Sequence, residues 1–476
     1  MLPPRVPEWN QEPQRGMQSK ATQKEDGQAT QHGREKGGRI HALDHLRAVA
    51  MLLGIVLHGV IAHQTTVSYV WPIQDPSRHV LADWIYHIIH SFRMPLFFIL
   101  SGYLSRGVFY RVGAEEFMKR RWSRLGVPLL IGIFTLSPIN EAMQSYGDSI
   151  AGPPSMELDN LDQWMEREKL SSKRPIEMGE PTGRHSMWFY LKRSFSKIWK
   201  NTQLGHMWFL YYLIFFFLTI PRMASWVEKK LGKEWFQRLD DFNRVSIRSR
   251  WIGLPLAILI FPILFVQFNV YNWGLGTPLS IFLPFPFFLI GCLELNMVLI
   301  YGMFFSAGWI LDRHPNALMT MSDRYRFNLF LGCIGALISF GLEQKFLLQV
   351  DHPFRWLAKS AALFIYAWGS VSLSLGLIGF FIKKFPRENK IWRYISDASY
   401  WIYLAHLPVV FFLQAKLAPF PWPWYFKLLV TCMVTFAILT ATYQIAVRHT
   451  IIGRILSGKK RNPRKESFMI DKAKES

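Results

Sequence analysis

Arg93 stands inside an apolar run, HSFRMPLFFILSGY from His90 to Tyr103, within a stretch long enough to cross a bilayer. A guanidinium at that depth costs roughly 2.5–3.5 kcal/mol on insertion scales, so it is kept where it pairs with a neighbouring helix or meets a polar ligand. The preceding apolar segment supplies two more groups that matter. Arg47 and His58 lie eleven residues apart, and at about 100° per residue that is three helical turns with roughly 20° left over, so both face one way. A rise of ~1.5 Å per residue separates them by roughly 16 Å. One wall then carries an anion anchor near its rim and a titratable base inside, with Gly54 one turn from His58 leaving room for a ligand or another helix. A buried histidine alone is commonly a hydrogen-bonded structural group. Set beside Arg47 and Arg93, it reads as an acid–base centre.

Around Arg93, the residues His90, Phe97 and Ser101 share a helical face, and Pro95 removes the backbone bond to the carbonyl of Ser91. A kinked helix with a freed carbonyl, an arginine and a histidine can line a polar cavity. His87 is assigned to the interface. The following loop runs Lys119, Arg120, Arg121, Trp122, Ser123, Arg124 just before Pro128. It serves either as a basic topology anchor or as a seat for a phosphorylated donor, because arginine forks pair with phosphate. The run from His206 to Tyr212 suits an interfacial aromatic belt. Ser399, Tyr403 and His406 fall on one buried stripe, able to bind sugar or to tie helices together.

The elements that hold these residues are membrane helices. Half of the chain is apolar and 16% is aromatic, with charge confined to short runs between long hydrophobic stretches, whereas soluble domains mix the two. Hydropathy predicts an all-α polytopic transmembrane bundle of about ten spans, near 45–64, 83–104, 124–142, 205–222, 251–269, 295–311, 327–344, 358–382, 394–414 and 426–448. The proline-broken stretch 279–293 reads as re-entrant or interfacial. With both termini in the cytoplasm, inner loops hold 22 Lys and Arg against 4 in the short outer loops, the asymmetry expected from the positive-inside rule. That bias accounts for the net charge of +22 without nucleic acid. Residues 1–38 are polar and nearly free of aromatics, so a disordered tail is expected there, and 451–476 form a basic C-terminal tail. The long segment 143–204 is an outer loop whose basic, aromatic end, Trp188 to Lys200, can lie along the surface. Cys292, Cys333 and Cys432 occur singly with no CxxC spacing, so neither a disulfide framework nor a metal site is indicated.

Five blocks in order carry a resemblance. RIHALDHLRAVAMLLGIVLH at 39–58, FRMPLFFILSGY at 92–103, the arginine pair at 121 and 124, HMWFLYYL at 206–213 and SYWIYLAH at 399–406 are similar to the integral-membrane acyltransferase-3 family. The first block is closest to the branch containing proteins of the glucan biosynthesis C type. The resemblance covers about 39–450 as one membrane domain. It implies ten helices, acyl-CoA as co-substrate and no metal, with an envelope glycan hydroxyl as acceptor. It places the family's essential histidine at His58, its paired arginine at Arg47, its second-helix arginine at Arg93 and its arginine pair at Arg121 and Arg124.

The function expected is O-acylation, with a succinyl or acetyl group moved from cytosolic acyl-CoA to a periplasmic glycan by a protein of the bacterial inner membrane. The rival is a transporter of a glycan or anionic metabolite, since intramembrane Arg and His serve both. A transporter would often show related halves, and the first five spans bear no similarity to the last five.

Overall fold

The computed structural model describes residues 40–65, 71, 73–151, 186–197, 202–267, 282–283, 294–347 and 353–457. The expected N-terminal tail, most of the 143–204 loop, Cys292 and the chain after Ser457 lie outside the described residues, as does 279–293 apart from one short strand.

Helices make up almost all of it. They are α1 (His41–Ile61), α2 (Val80–Val112), α3 (Ala114–Arg121), α4 (Val127–Ala151), α5 (Met187–Ser196), α6 (Trp208–Arg248), α7 (Leu254–Gln267), α8 (Leu295–Leu311), α9 (Ala317–Leu342), α10 (Arg355–Lys384), α11 (Lys390–Leu417), α12 (Trp424–Thr442) and α13 (Ile451–Ser457). A π-helical turn, Trp122–Gly126, joins α3 to α4, and a 3₁₀ turn, Gly205–Met207, leads into α6. Two short strands, β1 (Thr202–Gln203) and β2 (Phe282–Leu283), pair antiparallel. The protein is therefore an all-α polytopic membrane protein.

Among the described residues, eight helical segments are long and apolar enough to cross a bilayer, where about ten had been expected. The segment predicted at 251–269 folds as the apolar helix Leu254–Val266, and that predicted at 295–311 folds over those same bounds, Leu295–Leu311, both below the ~20 residues a crossing usually takes. Helix α8 is flanked by Glu294 and Asp312 as its cap residues. Pro95, expected to kink its helix, sits within a continuous α2. The carbonyl it releases is not left for a ligand. Ser370 of α10 donates to the Ser91 oxygen at 2.5 Å, which satisfies the group inside the bundle. The basic aromatic end of the long loop folds as α5, with Trp188 exposed and Tyr190 buried.

Inside lipid, helices gain nothing from hiding apolar surface from one another, so close backbone approach holds them. The α2–α8 crossing is of this kind. A Cβ on Gly102 would strike the carbonyl oxygen of Phe305, and one on Gly308 would strike that of Ile99. Beside it, Phe98 packs on Phe209, Phe216 and Tyr301 with ring centroids 5.1, 5.4 and 4.7 Å away. At the opposite flank a buried ion pair fastens the segment after α1. Lys427 of α12 donates to both oxygens of Asp75 at 2.9 and 2.8 Å and to the Ala418 carbonyl at 3.1 Å, with both charged side chains almost fully enclosed.

Two outcomes follow from these contacts. Gly308→Val forces α2 and α8 apart at a cost of about 1–3 kcal/mol or more, read as a lower midpoint in detergent thermal unfolding; an unchanged midpoint contradicts the crossing. Lys427→Met strands the Asp75 carboxylate at a cost of about 3–5 kcal/mol, and adding Asp75→Asn recovers most of it. The same unfolding assay on the single and double variants measures both steps.

Candidate functional site

Three histidines from distant parts of the chain meet in the bundle. His58 stands in the last turn of α1, His206 in the 3₁₀ turn before α6, and His406 in the middle of α11. The His58 and His406 ring centroids are 5.1 Å apart, and those of His206 and His406 are 5.0 Å apart. Helix α1 packs against both α2 and α11, which brings the group within reach of Arg93. His206 and His406 are buried, whereas His58 keeps partial access. His58 is thus the way in.

Arg93 enters from α2 and lies against α1 at Gly54, where an added Cβ would stand 3.2 Å from a guanidinium nitrogen. Gly54 leaves that room one turn from His58. The side chain is 6% exposed, and its Nε and one terminal nitrogen have no hydrogen-bond partner. No carboxylate pairs with it among the described residues. Its field falls on all three imidazoles and on Tyr403. A buried guanidinium with donors to spare and no counter-ion is suited to an anionic ligand or to charge that develops during a reaction.

The cluster's other polar atoms are fixed by backbone groups. His406 Nδ1 donates to the Tyr403 carbonyl at 2.7 Å, and His206 Nε2 donates to the Leu404 carbonyl at 3.1 Å. These bonds leave His406 Nε2 and His206 Nδ1 as bare acceptors, both buried and without partners. Tyr403 donates its hydroxyl to the His206 carbonyl at 2.7 Å, and Ser399 back-bonds within its own helix to Ser396. Of the stripe that had been open to either purpose, Tyr403 ties helices together and His406 faces the cluster. His206, which also suited an interfacial belt, lies inside.

Two further residues escaped the sequence reading. Trp71 stacks on His58 with centroids 5.4 Å apart and an interplanar angle of 15°. Its indole N–H donates to Gln414 Oε1 at 3.0 Å, and Gln414 Nε2 donates to the His58 and Gly59 carbonyls at 3.0 and 2.9 Å. Gln414 thereby satisfies carbonyls that the end of α1 leaves open. A tryptophan in a loop and a glutamine in a hydrophobic helix carry no spacing that would have marked them. On α2, His90 stacks on Tyr86 with centroids 5.1 Å apart. His87, assigned to the interface, is buried with its Nε2 3.0 Å from Ser339 Oγ.

The remaining predicted residues form a second group at the basic end. Arg47 keeps to the rim, paired with Asp44 at 3.0 Å, and does not join His58. Arg124 lines a pocket of about 370 Å³ with Glu116, Lys119, Arg120 and Ser123. Arg121 sits inside that wall, its guanidinium 5.0 and 4.6 Å from the Phe117 and Phe217 ring centroids and 3.3 Å from Ser105 Oγ. Arg47, Arg121 and Arg124 still share one electrostatic neighbourhood. The structure brings His58 and Arg93 together, and separately the three rim arginines. Among the described residues no group of side chains is arranged to hold a metal ion.

Comparison with known proteins gives these clusters a context. The chain is 22% identical over 430 residues to "Glucans biosynthesis protein C" of Escherichia coli K12 and to the protein of the same name from Escherichia coli O139:H28, covering 88% of this chain and 95% of each relative. No solved structure matches it. The family model described as "Acyltransferase domain" matches residues 40–442, nearly the whole helical bundle, and on that match the chain belongs to the acyltransferase-3 family of integral-membrane transferases.

Proposed function

We propose that the protein is an O-acyltransferase of the bacterial inner membrane. It takes a succinyl or acetyl group from cytosolic acyl-CoA and transfers it to hydroxyls of an envelope or periplasmic glycan, of which glucan is the example given by the relatives' name. One observation carries the reading: a guanidinium without a counter-ion set among three imidazoles inside the bundle. Acyl transfer needs both parts. The carbonyl oxygen gains negative charge as it is attacked, and Arg93 has donors free to meet it; an oxyanion contact of this kind is worth roughly 3–4 kcal/mol in other enzymes. His58 acts on the reacting centre itself, either as base in a direct transfer or as acyl carrier in a two-step one.

The rim arginines suit the donor. The pocket at Lys119, Arg120 and Arg124 opens to the basic end of the bundle, which the positive-inside rule assigns to the cytosol, and its cations match the phosphates of CoA. Arg121 stiffens the wall behind it, and Arg47 marks the path from that rim towards His58. The donor's phosphates then stay near the cytosol while its thioester reaches inward.

His58→Ala in the purified protein should abolish ester formation on glucan oligosaccharides while leaving acyl-CoA binding near normal, followed by mass spectrometry of the glycan and by donor titration. Arg93→Met should lower kcat by about 10²–10³ with little change in donor KM, as loss of an oxyanion donor does elsewhere. Arg124→Ala should do the reverse and raise donor KM roughly tenfold, as expected for a lost charge-assisted bond of about 1.5 kcal/mol. Turnover unchanged in His58→Ala rejects the assignment. Undecorated glycan accumulating inside cells that lack the protein would favour transport instead.

A further inference from the structure

The cluster holds more imidazoles than one base requires, and their nitrogens are not equivalent. A catalytic base is normally oriented by a third group bound to its other nitrogen, which fixes the tautomer and aims the lone pair. His406 has this arrangement. Its Nδ1–H is committed to the Tyr403 carbonyl at 2.7 Å, and its Nε2 is buried, bare and unpartnered. His206 is fixed in the opposite sense, with Nε2–H on the Leu404 carbonyl and Nδ1 bare. His58 has no such anchor: its Nδ1 lacks a partner and its ring is held by stacking on Trp71. Two aimed lone pairs can receive only hydrogen-bond donors or a cation. Arg93 stands over the group with its own positive charge, and the three rings are not arranged to hold a metal ion. Sugar hydroxyls fit.

Building on the transferase reading, we propose that the imidazoles divide the reaction, with His58 carrying the acyl group and His406 taking the proton of the glycan hydroxyl. In the first half, a His58 ring nitrogen bonds to the thioester carbon, the carbon–sulfur bond breaks and the electron pair leaves with the CoA thiolate. The N–H proton of the acylated ring is released, and the thiolate becomes CoA thiol by taking one up. In the second half, the hydroxyl oxygen bonds to the same carbon as its proton passes to His406 Nε2. The carbon–nitrogen bond breaks, and the ring nitrogen of His58 recovers a proton from His406, which restores both neutral rings. His206 Nδ1 accepts a hydrogen bond from a second hydroxyl of the same sugar and so positions the acceptor. The ring centroids stand 5.1 and 5.0 Å apart, which is contact distance, so His406 adjoins both the ring that carries the acyl group and the ring that positions the acceptor.

The test uses the full chain in lipid nanodiscs with succinyl-CoA and acetyl-CoA, first without acceptor and then with glucan oligosaccharide. Wild type should release about one CoA per protein in a burst before acceptor is added, and His58→Ala none. His406→Gln keeps an oxygen that can accept a hydrogen bond but cannot take a proton; it should retain the burst while glycan ester formation falls at least 100-fold with acceptor KM little changed. His206→Ala should raise acceptor KM about tenfold with smaller loss of kcat. Ester formation by His406→Gln within threefold of wild type overturns the division, as does loss of its burst together with transfer. Metal analysis of the wild type gives a readout independent of any variant's folding: about one bound transition metal per chain would assign the lone pairs to a metal and overturn it. Wild type that forms no ester with either donor would instead bring down the transferase reading on which this rests.

Discussion

A guanidinium enclosed by helices, with no carboxylate to neutralise it among the described residues, is the constraint around which this bundle is arranged. Arg93 is held by geometry: Gly54 makes the space beside it, and aromatic and imidazole rings surround it. The cost of keeping such a charge falls when a ligand supplies a negative partner, so a site of this kind prefers anionic or polarised groups. The neighbouring polar atoms follow the same logic. Backbone carbonyls take up the imidazole N–H groups and Gln414 caps the end of α1. The atoms left over point at what the bundle has still to bind.

Several polar groups elsewhere in the interior are closed off by named partners. Ser370 closes the carbonyl opened by Pro95, Tyr403 binds the His206 carbonyl, and Lys427 with Asp75 neutralise one another in a buried pair. In the cluster, a bare acceptor on His406, another on His206 and two unbonded nitrogens on Arg93 fall within one neighbourhood. A native interior tolerates such groups where function requires them.

Much of the fold was legible because it depends on period and composition. Long apolar runs gave the helices, the arginine at position 93 marked a polar interior, and the spacing from Gly54 to His58 anticipated where a neighbouring helix would need room. What failed to come through depends on contacts between distant segments. Nothing in the residues around Trp71 says that the loop folds back on His58, because the partners are Gln414 and Phe411, more than three hundred positions away. The tautomers of His206 and His406 are likewise set by carbonyls whose positions follow only from the packed bundle. The bounds of α8 were themselves legible, since the predicted span 295–311 is the helix observed.

On the proposed transferase reading, the separation of the two groups has a mechanistic sense. Arg47 and the pocket beside Arg124 sit at one rim, while His58 lies eleven residues further along α1, roughly 16 Å away along the axis. Phosphates belong at the rim, where water and several cations share their charge; drawing them to the depth of Arg93 would cost far more than one guanidinium returns. A thioester on a long flexible arm resolves the conflict, since its carbonyl is neutral until the moment of attack. In the proposed reaction Arg93 acts only when charge appears on that oxygen, so its attraction goes to the transition state and not to holding the donor. In that proposal the donor's permanent charge stays at the edge of the bundle, and only the charge that appears during transfer reaches Arg93.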